Sequence, residues 1–198
     1  MGHSQAEKAA SRERILDNAA RQIREGGLES VSIAELMKAA NLTHGGFYGH
    51  FPSRGALIAA ALDRALDQGE AAFVAAPSSK VPGSVKSIVN RYLSPAHRDS
   101  AGGGCAVASL AADVARSDDA EVRTQMSRRV EASVDRMASA MGGGAAADNA
   151  ALLAWCAMIG ALALSRVCPD KARSDEILKV ARQGVLDLEA QVRAENPA

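Results

Sequence analysis

Between Ser32 and Phe51 the chain reads S-I-A-E-L-M-K-A-A-N-L-T-H-G-G-F-Y-G-H-F, and the signals that start a helix occur in it twice. Ser32 stands three residues before Glu35, the spacing of a capping box, in which the hydroxyl accepts one of the unpaired N–H groups of the first turn. Val31 before that cap and Leu36 inside the helix predict a hydrophobic staple that fixes the angle of entry. The helix carries Leu36 and Met37 inward and should end near Ala40, because Asn41 tolerates the left-handed conformation that terminates helices. Leu42 and Thr43 repeat the pattern, with Thr43 as a second cap and Leu42 as a staple to Phe47. Two capped helices joined by a three-residue turn predict a helix-turn-helix, whose second helix enters the major groove of DNA.

The segment T-H-G-G-F-Y-G-H-F-P-S-R resembles the recognition helix and following turn of the TetR family of one-component bacterial regulators. Thr43, Gly45, Phe47, Tyr48, His50, Phe51 and Arg54 match that family's pattern, whereas Gly46 stands where a hydroxyl residue reaching phosphate is commoner. The resemblance covers about residues 10–60, and the remainder is similar to the family only in length and helical character. It implies an all-α chain: a three-helix helix-turn-helix DNA-binding domain over residues 1–55 (about 9–69 with the connecting helix), then a helical-bundle ligand-binding and dimerisation domain over 56–198. The function implied is a DNA-binding transcriptional regulator, a repressor released from its operator by a small, mostly apolar ligand. Its partners would be a double-stranded DNA operator, a small-molecule inducer and a second copy of the chain. The expected DNA-contacting positions are Ser32, Thr43, His44, Gly45, Gly46, Tyr48, His50 and Arg54.

Bulk charge does not carry the nucleic-acid reading, because the formal net charge is +0. In residues 1–55, Lys8, Arg12, Arg14, Arg21, Arg24, Lys38 and Arg54 face a near-equal set of carboxylates, so this region has no basic footprint. Placement matters more: Lys8, Arg12 and Arg14 cluster at the start and read either as surface charges or as phosphate contacts. Arg54 occupies the first turn of a helix, where the dipole disfavours a cation, and this points to a phosphate clamp rather than a structural role. Gly45, Gly46 and Gly49 each weaken a helix interior by about 0.8–1 kcal/mol relative to Ala. The segment therefore reads either as a frayed turn or as a bare backbone that approaches DNA closely, with Tyr48 on a phosphate and His44 at a base edge. Phe47 and Phe51, four residues apart, are expected in the core.

The surrounding pattern is helical throughout. Ile15, Ala19 and Ile23 define the buried stripe of a helix from about Ala9 to Glu25, widened by Leu16 and Ala20 and closed by Gly26-Gly27. Pro52 stops the recognition helix, and Ser53 caps a connecting helix from Arg54 to about Val74. A-A-P-S-S-K-V-P-G-S separates that helix from one at Val85 to Leu93, and S-P-A-H-R-D-S-A-G-G-G reads as a mobile loop. Further helices are expected from near Cys105, from Asp119 (capped by Asp118 or Ser117) to Met141, from Ala147 to Val167, and from about Ser174 to Ala194. The last two predict self-association. One is apolar nearly all round, and the other carries the stripe Ile177, Leu178, Ala181, Val185, Leu188 and Val192, which closes either a four-helix dimer interface or the protomer's own core.

With 47% apolar and 3% aromatic residues, the body should be tightly packed helix. Tyr92, Leu110, Met126, Val130, Met137, Trp155, Met158 and Leu162 would line either plain core or an interhelical ligand pocket, joined by Cys105. No carboxylate or arginine is evident among them, which favours a neutral ligand. Cys105 follows three glycines and opens a helix, so a thiol sensor of oxidants or electrophiles is the alternative to a ligand switch; Cys156 and Cys168 read as structural. A thiol enzyme would need a base for Cys105, and His97 reaches it only by folding back across the glycines. No catalytic triad, phosphate loop, cofactor motif or metal-ligand spacing occurs in the sequence. No apolar run reaches the ~18 residues of a membrane span, the opening M-G-H-S-Q-A-E-K has no apolar core region, and the cysteines suggest a reducing compartment. A cytoplasmic location is expected.

Overall fold

The computed structural model describes residues 5–74 and 83–195, all helix, turn and loop, with no strand among them. Most of the separating segment A-A-P-S-S-K-V-P-G-S lies outside the described residues. Helix α1 (Gln5–Gly26) buries Ile15, Ala19 and Ile23 completely and extends four residues before the expected start at Ala9. It ends as expected: Gly27 has φ +86°, its N–H donates to the Ile23 carbonyl at 2.8 Å, and Leu28 turns into the core through a short 3-10 turn over Leu28–Ser30. Gly27 is also sterically required, since a Cβ there would lie 2.5 Å from the Asp113 carboxylate.

Helix α2 (Ile33–Ala39) is capped by Ser32, whose Oγ accepts from the Glu35 N–H at 3.4 Å. The Glu35 carboxylate accepts from Gln22 Nε2 on α1, so the box ties two helices together. Val31 and Leu36 are buried, and Asn41 takes φ +59° to end the helix. The next element, His44–Gly49, is a 3-10 helix rather than an α-helix, which corrects the expected second α-helix. Thr43 holds the cap position, but through its carbonyl, which accepts from the Gly46 N–H at 3.0 Å, and not through its hydroxyl. Three glycines in six residues account for this, because the segment has too little side-chain contact to hold a full α-helical turn.

Helix α3 (Arg54–Val74) connects this three-helix head to the body and buries Leu57, Ala61, Leu62, Ala65 and Leu66. The body comprises α4 (Val85–Tyr92), α5 (Pro95–Asp99), α6 (Ala106–Arg116), α7 (Ala120–Met141), α8 (Ala145–Val167) and α9 (Lys171–Glu195). The cap of α7 is Asp119, whose Oδ1 accepts from the Glu121 and Val122 N–H groups, in place of the expected Asp118 or Ser117. Gly142, Gly143 and Gly144 all have positive φ and make the break before α8.

The stretch from Ser94 to Gly104 is no loose loop. Ser94 caps α5 with Pro95 in its first turn, and Arg98, 6% exposed, bonds Ser174 Oγ at 2.9 Å and Asp175 at 2.5 Å on α9. Arg166 of α8 donates to the carbonyls of His97 and Arg98. The Ser-Pro pair is the N-cap and first-turn signature of a helix, and the three glycines that follow it hid that signal in the sequence.

Helix α8 packs against α7 and α9. Its mean hydropathy of 1.8 makes it long and apolar enough to cross a membrane by length and composition, although no uninterrupted apolar run reaches that length. The α9 stripe faces inward, with Leu178, Val185 and Val192 buried and Ile177, Ala181 and Leu188 packed against the same core. The exposed apolar side chains are different ones: Leu152, Leu153, Leu164 and Val167 on α8 and Val180 on α9.

Candidate nucleic-acid interface

Phe47 and Phe51 are 1% and 2% exposed, with ring centroids 5.9 Å apart, and they fasten the 3-10 reading turn to the head. That anchoring leaves Thr43, His44, Gly45, Tyr48 and Gly49 facing outward. Tyr48 is 73% exposed, its ring edge-on to Phe47 at 5.2 Å, so its hydroxyl projects from a rigid base. Gly45 and Gly49 have open space where a Cβ would stand, whereas a Cβ at Gly46 would touch Met37 at 3.5 Å and Thr43 Oγ1 at 3.7 Å. Gly46 therefore faces the head, and Gly45 and Gly49 present bare backbone.

His50 caps the turn. Burial, followed by the charges of Lys8 and Arg12, holds its pKa below the usual imidazole value. The guanidinium of Arg12 lies 5.0 Å from the Phe51 ring centroid, so Lys8 and Arg12 form a cationic corner around His50 beside the reading turn. Arg14 is turned elsewhere, donating to Ser11 Oγ at 2.9 Å. Ser32 lies at the start of α2, its hydroxyl engaged as the cap. Arg54 has a partner that its helical position did not suggest: its guanidinium meets Glu29 Oε2 at 3.1 Å and the Glu29 carbonyl at 3.2 Å. The Glu29 carboxylate is 90% exposed, and pairs of that kind contribute about 0–1 kcal/mol, so phosphate can replace it.

The head is joined to the body by residues the sequence reading did not single out. Arg24, 6% exposed, donates to Gly102 O at 2.6 Å, Ala65 O at 3.2 Å and Gln68 Oε1 at 2.8 Å. Its spacing after Leu16 and Ala20 put it on the buried stripe, the one available signal. Asp113 of α6 accepts from the Leu28 N–H at 3.1 Å and so holds the end of α1 against the body.

In the body, a cleft of about 260 Å³ is lined by Gly69, Arg91, Ser94, Ala96, His97, Ser100, Gly103, Gly104 and Cys105. A smaller hollow of about 30 Å³ shares Gly69 and Cys105 and adds Leu66, Glu70, Ala106, Val107, Arg129, Ser133 and Trp155. Of the residues expected around a ligand, Cys105 lines both cavities and Trp155 the smaller. Tyr92 lies behind them, 5.2 Å from Trp155 and 4.8 Å from His97 between ring centroids. Leu110, Met126, Met137, Met158 and Leu162 are buried in the core and Val130 is packed against it. Burial, and then the neighbouring Cys105 thiol, raise the Tyr92 phenol well above its usual pKa. His97 does fold back: Nε2 accepts from the Cys105 N–H at 3.0 Å, and Nδ1 meets the Tyr92 carbonyl at 2.7 Å. That pair of bonds fixes the neutral tautomer with the proton on Nδ1, and burial lowers the ring's pKa. Both ring nitrogens serve the main chain, which leaves neither to act as a base for the thiol.

The fold and this interface define a helix-turn-helix protein: a three-helix reading head on an all-helical body. Residues 15–61 match the family model described as bacterial regulatory proteins, tetR family. The match covers the reading head, α1 to the first turns of α3, and places that segment with the helix-turn-helix of the tetR family. None of the curated proteins matches its sequence. Among solved structures, a TetR-family regulator from Cytophaga hutchinsonii is similar at 20% identity, covering 96% of this chain and 98% of that one, with a TM-score of 0.76. Another, from Chloroflexus aurantiacus, is 21% identical over 94% of this chain and 98% of its own, also at 0.76. The reduced form of NemR from E. coli is 20% identical over 90% and 96%, at 0.71. These likenesses establish a shared fold over nearly the whole chain.

Proposed function

We propose that the chain is a homodimeric repressor whose reading turns engage two operator half-sites and are withdrawn when a small molecule occupies the body. The observation that carries this reading is the turn itself, with His44, Gly45 and Tyr48 displayed on a base fixed by Phe47 and Phe51. In it Tyr48, Arg54 and the Lys8–Arg12 corner contact phosphates and set register, while His44 and the bare backbone at Gly45 approach base edges. Ser32, Thr43, Gly46 and His50 supply the remaining main-chain and side-chain contacts around them. We divide the chain at residue 55, with 1–55 reading DNA and 56–198 sensing and dimerising, and α3 carrying movement between them.

The outward apolar residues of α8 and α9 support dimerisation, since two copies related by a twofold axis would cover them in one four-helix interface. A dimer also has geometric use, because half-sites on one DNA face lie about 34–36 Å apart or a multiple of that. Release follows from population shift: a ligand that binds better to a dimer with misplaced heads draws the chain from its operator. Arg24 and Asp113 give the body a direct hold on α1.

A second reading, a thiol-sensing repressor, is favoured by Cys105 lining both cavities. An enzymatic use of that thiol is disfavoured by the engagement of both His97 nitrogens. The repressor acts in the cytoplasm, without cofactor or membrane. The test is DNA retardation with the intergenic region upstream of the chain's own gene at two salt concentrations. Specific binding that weakens as salt rises is expected; a chain that binds this DNA no better than unrelated DNA refutes the reading.

A further inference from the structure

The short turn Leu28–Ser30 is gripped by charged side chains from two other elements. Arg54, at the start of α3, donates through Nη2 to the Glu29 carbonyl as well as meeting the Glu29 carboxylate. Asp113, on α6 of the body, accepts from the Leu28 N–H at 3.1 Å through Oδ2. That N–H opens the turn, and the residue in the capping position is Gly27, which has no side chain to accept it. Asp113 therefore supplies from the body the cap that the head's own sequence lacks. The fit is close, because a Cβ on Gly27 would lie 2.5 Å from the same Oδ2. The second carboxylate oxygen, Oδ1, accepts from Arg116 at 2.6 Å, so both oxygens of Asp113 are engaged. At its other end the turn is held within the head, by the Ser30 hydroxyl at 2.7 Å from the Gly27 carbonyl and 3.1 Å from that of Gln22.

We infer that Asp113 is a positioning residue for DNA contact: by capping the turn it fixes the Glu29 carbonyl that holds Arg54 in place to meet phosphate. The inference rests on the phosphate contact proposed above for Arg54. In the free protein the exposed Glu29 carboxylate occupies the place of the phosphate. When DNA takes that place, the carbonyl is the partner Arg54 keeps, because one guanidinium nitrogen carries two N–H groups and serves both oxygens. Removing Asp113 leaves the Leu28 N–H without its acceptor, and the turn and its carbonyl lose their fixed position. Charge alone predicts the opposite effect. A protein that loses a carboxylate becomes less negative and is drawn more strongly to a polyanion. Weaker DNA binding on removal of Asp113 is thus the mark of the hydrogen bond and not of the charge.

The test is the slope of log affinity against log salt, read by retardation with the full chain on the duplex upstream of its own gene. Asp113→Ala should make the slope shallower by about 1 and weaken binding about tenfold, as Arg54→Ala does, the loss of one phosphate contact. The double variant should bind no more weakly than either single one, since both remove the same contact. Asp113→Asn loses the charge but keeps an oxygen for the Leu28 N–H, and should retain the wild-type slope. Calorimetry checks that each variant is folded at the assay temperature; if Asp113→Ala is not, Asp113→Ser, whose hydroxyl stops short of Leu28, replaces it. The inference is overturned if alanine keeps the wild-type slope while Arg54→Ala makes it shallower, if the two effects add, or if asparagine behaves as alanine does. An unaltered slope in Arg54→Ala removes the phosphate contact of Arg54 and this inference with it. A wild type that shows no preference for its upstream DNA removes the operator reading alone, because phosphate contacts are independent of sequence and the slopes on unrelated DNA still separate alanine from asparagine.

Discussion

Gly45 and Gly49 offer the sharpest test of why the reading turn is built from glycine. Neither has a positive φ, and a Cβ built on either meets nothing within 4 Å, so alanine fits both without strain. Replacing glycine by alanine at a compatible position removes unfolded-state freedom and stabilises by about 0.4–1 kcal/mol per site. Gly45→Ala with Gly49→Ala should therefore add about 1–2 kcal/mol, and at about 2–4 °C per kcal/mol for a chain of this size, Tm should rise by about 2–8 °C. Those same methyl groups occupy the face proposed to meet DNA, where backbone approach tolerates no added atom. The double variant should melt higher by calorimetry and bind operator at least tenfold more weakly by retardation. Gly46→Ala, whose Cβ faces Met37, serves as the inward control and should leave affinity nearly unchanged. A double variant that gains stability and keeps full affinity refutes the close-approach argument; one that loses stability refutes the geometric one.

Gly27→Ala forces a side chain onto φ +86° and against Asp113, so urea unfolding should show a loss of about 1–3 kcal/mol although no DNA-facing atom changes. Phe47→Ala empties the anchor of the reading turn and should destabilise by about 3–5 kcal/mol in the same assay, with specific DNA binding lost. Arg54→Ala should leave Tm nearly unchanged and lower the slope of log affinity against log salt by about 1; an unaltered slope would remove Arg54 from the phosphate contacts. Burial keeps the folded His97 below its ordinary pKa of 6.5, so the unfolded chain takes up that proton first. Its stabilising contribution is complete above about pH 6.5 and is lost as pH falls below it, so Tm should drop less steeply between pH 7 and pH 5 in His97→Gln than in the wild type. Equal slopes would show that His97 is not the group responsible.

Local patterns in the chain were enough to specify its helices and its reading head. Capping, stapling and glycine termination act within about four residues, so Ser32, Asn41, Ser53 and Gly27 could each be assigned from neighbours alone. The apolar periods of α1 and α3 likewise identified Ile15, Ala19, Ile23, Leu57 and Leu62 as core. Local signals failed where two comparable forces competed. Thr43 offered a hydroxyl cap, but the glycines behind it relaxed the α-helix to a 3-10 turn capped by a carbonyl. The run of glycines before Cys105 hid a segment held in place by contacts 68 to 78 residues away in sequence.

What tertiary structure alone decided is which side chains meet. Periodicity marks a residue as inward without saying what it faces, so the α9 stripe pointed to a partner and left the protomer's own core as the alternative. Packing turned that stripe inward and left Leu152, Leu153, Leu164 and Val167 of α8 outside. Likewise nothing local brings Arg91, His97 and Cys105 to one cleft, or Arg24 to the Gly102 carbonyl beside it. Their charges gain meaning only from distance and burial, because electrostatic energy depends on separation and dielectric and not on spacing along the chain. The sequence thus determined a reading head and a helical body; the tertiary fold determined how the two are joined.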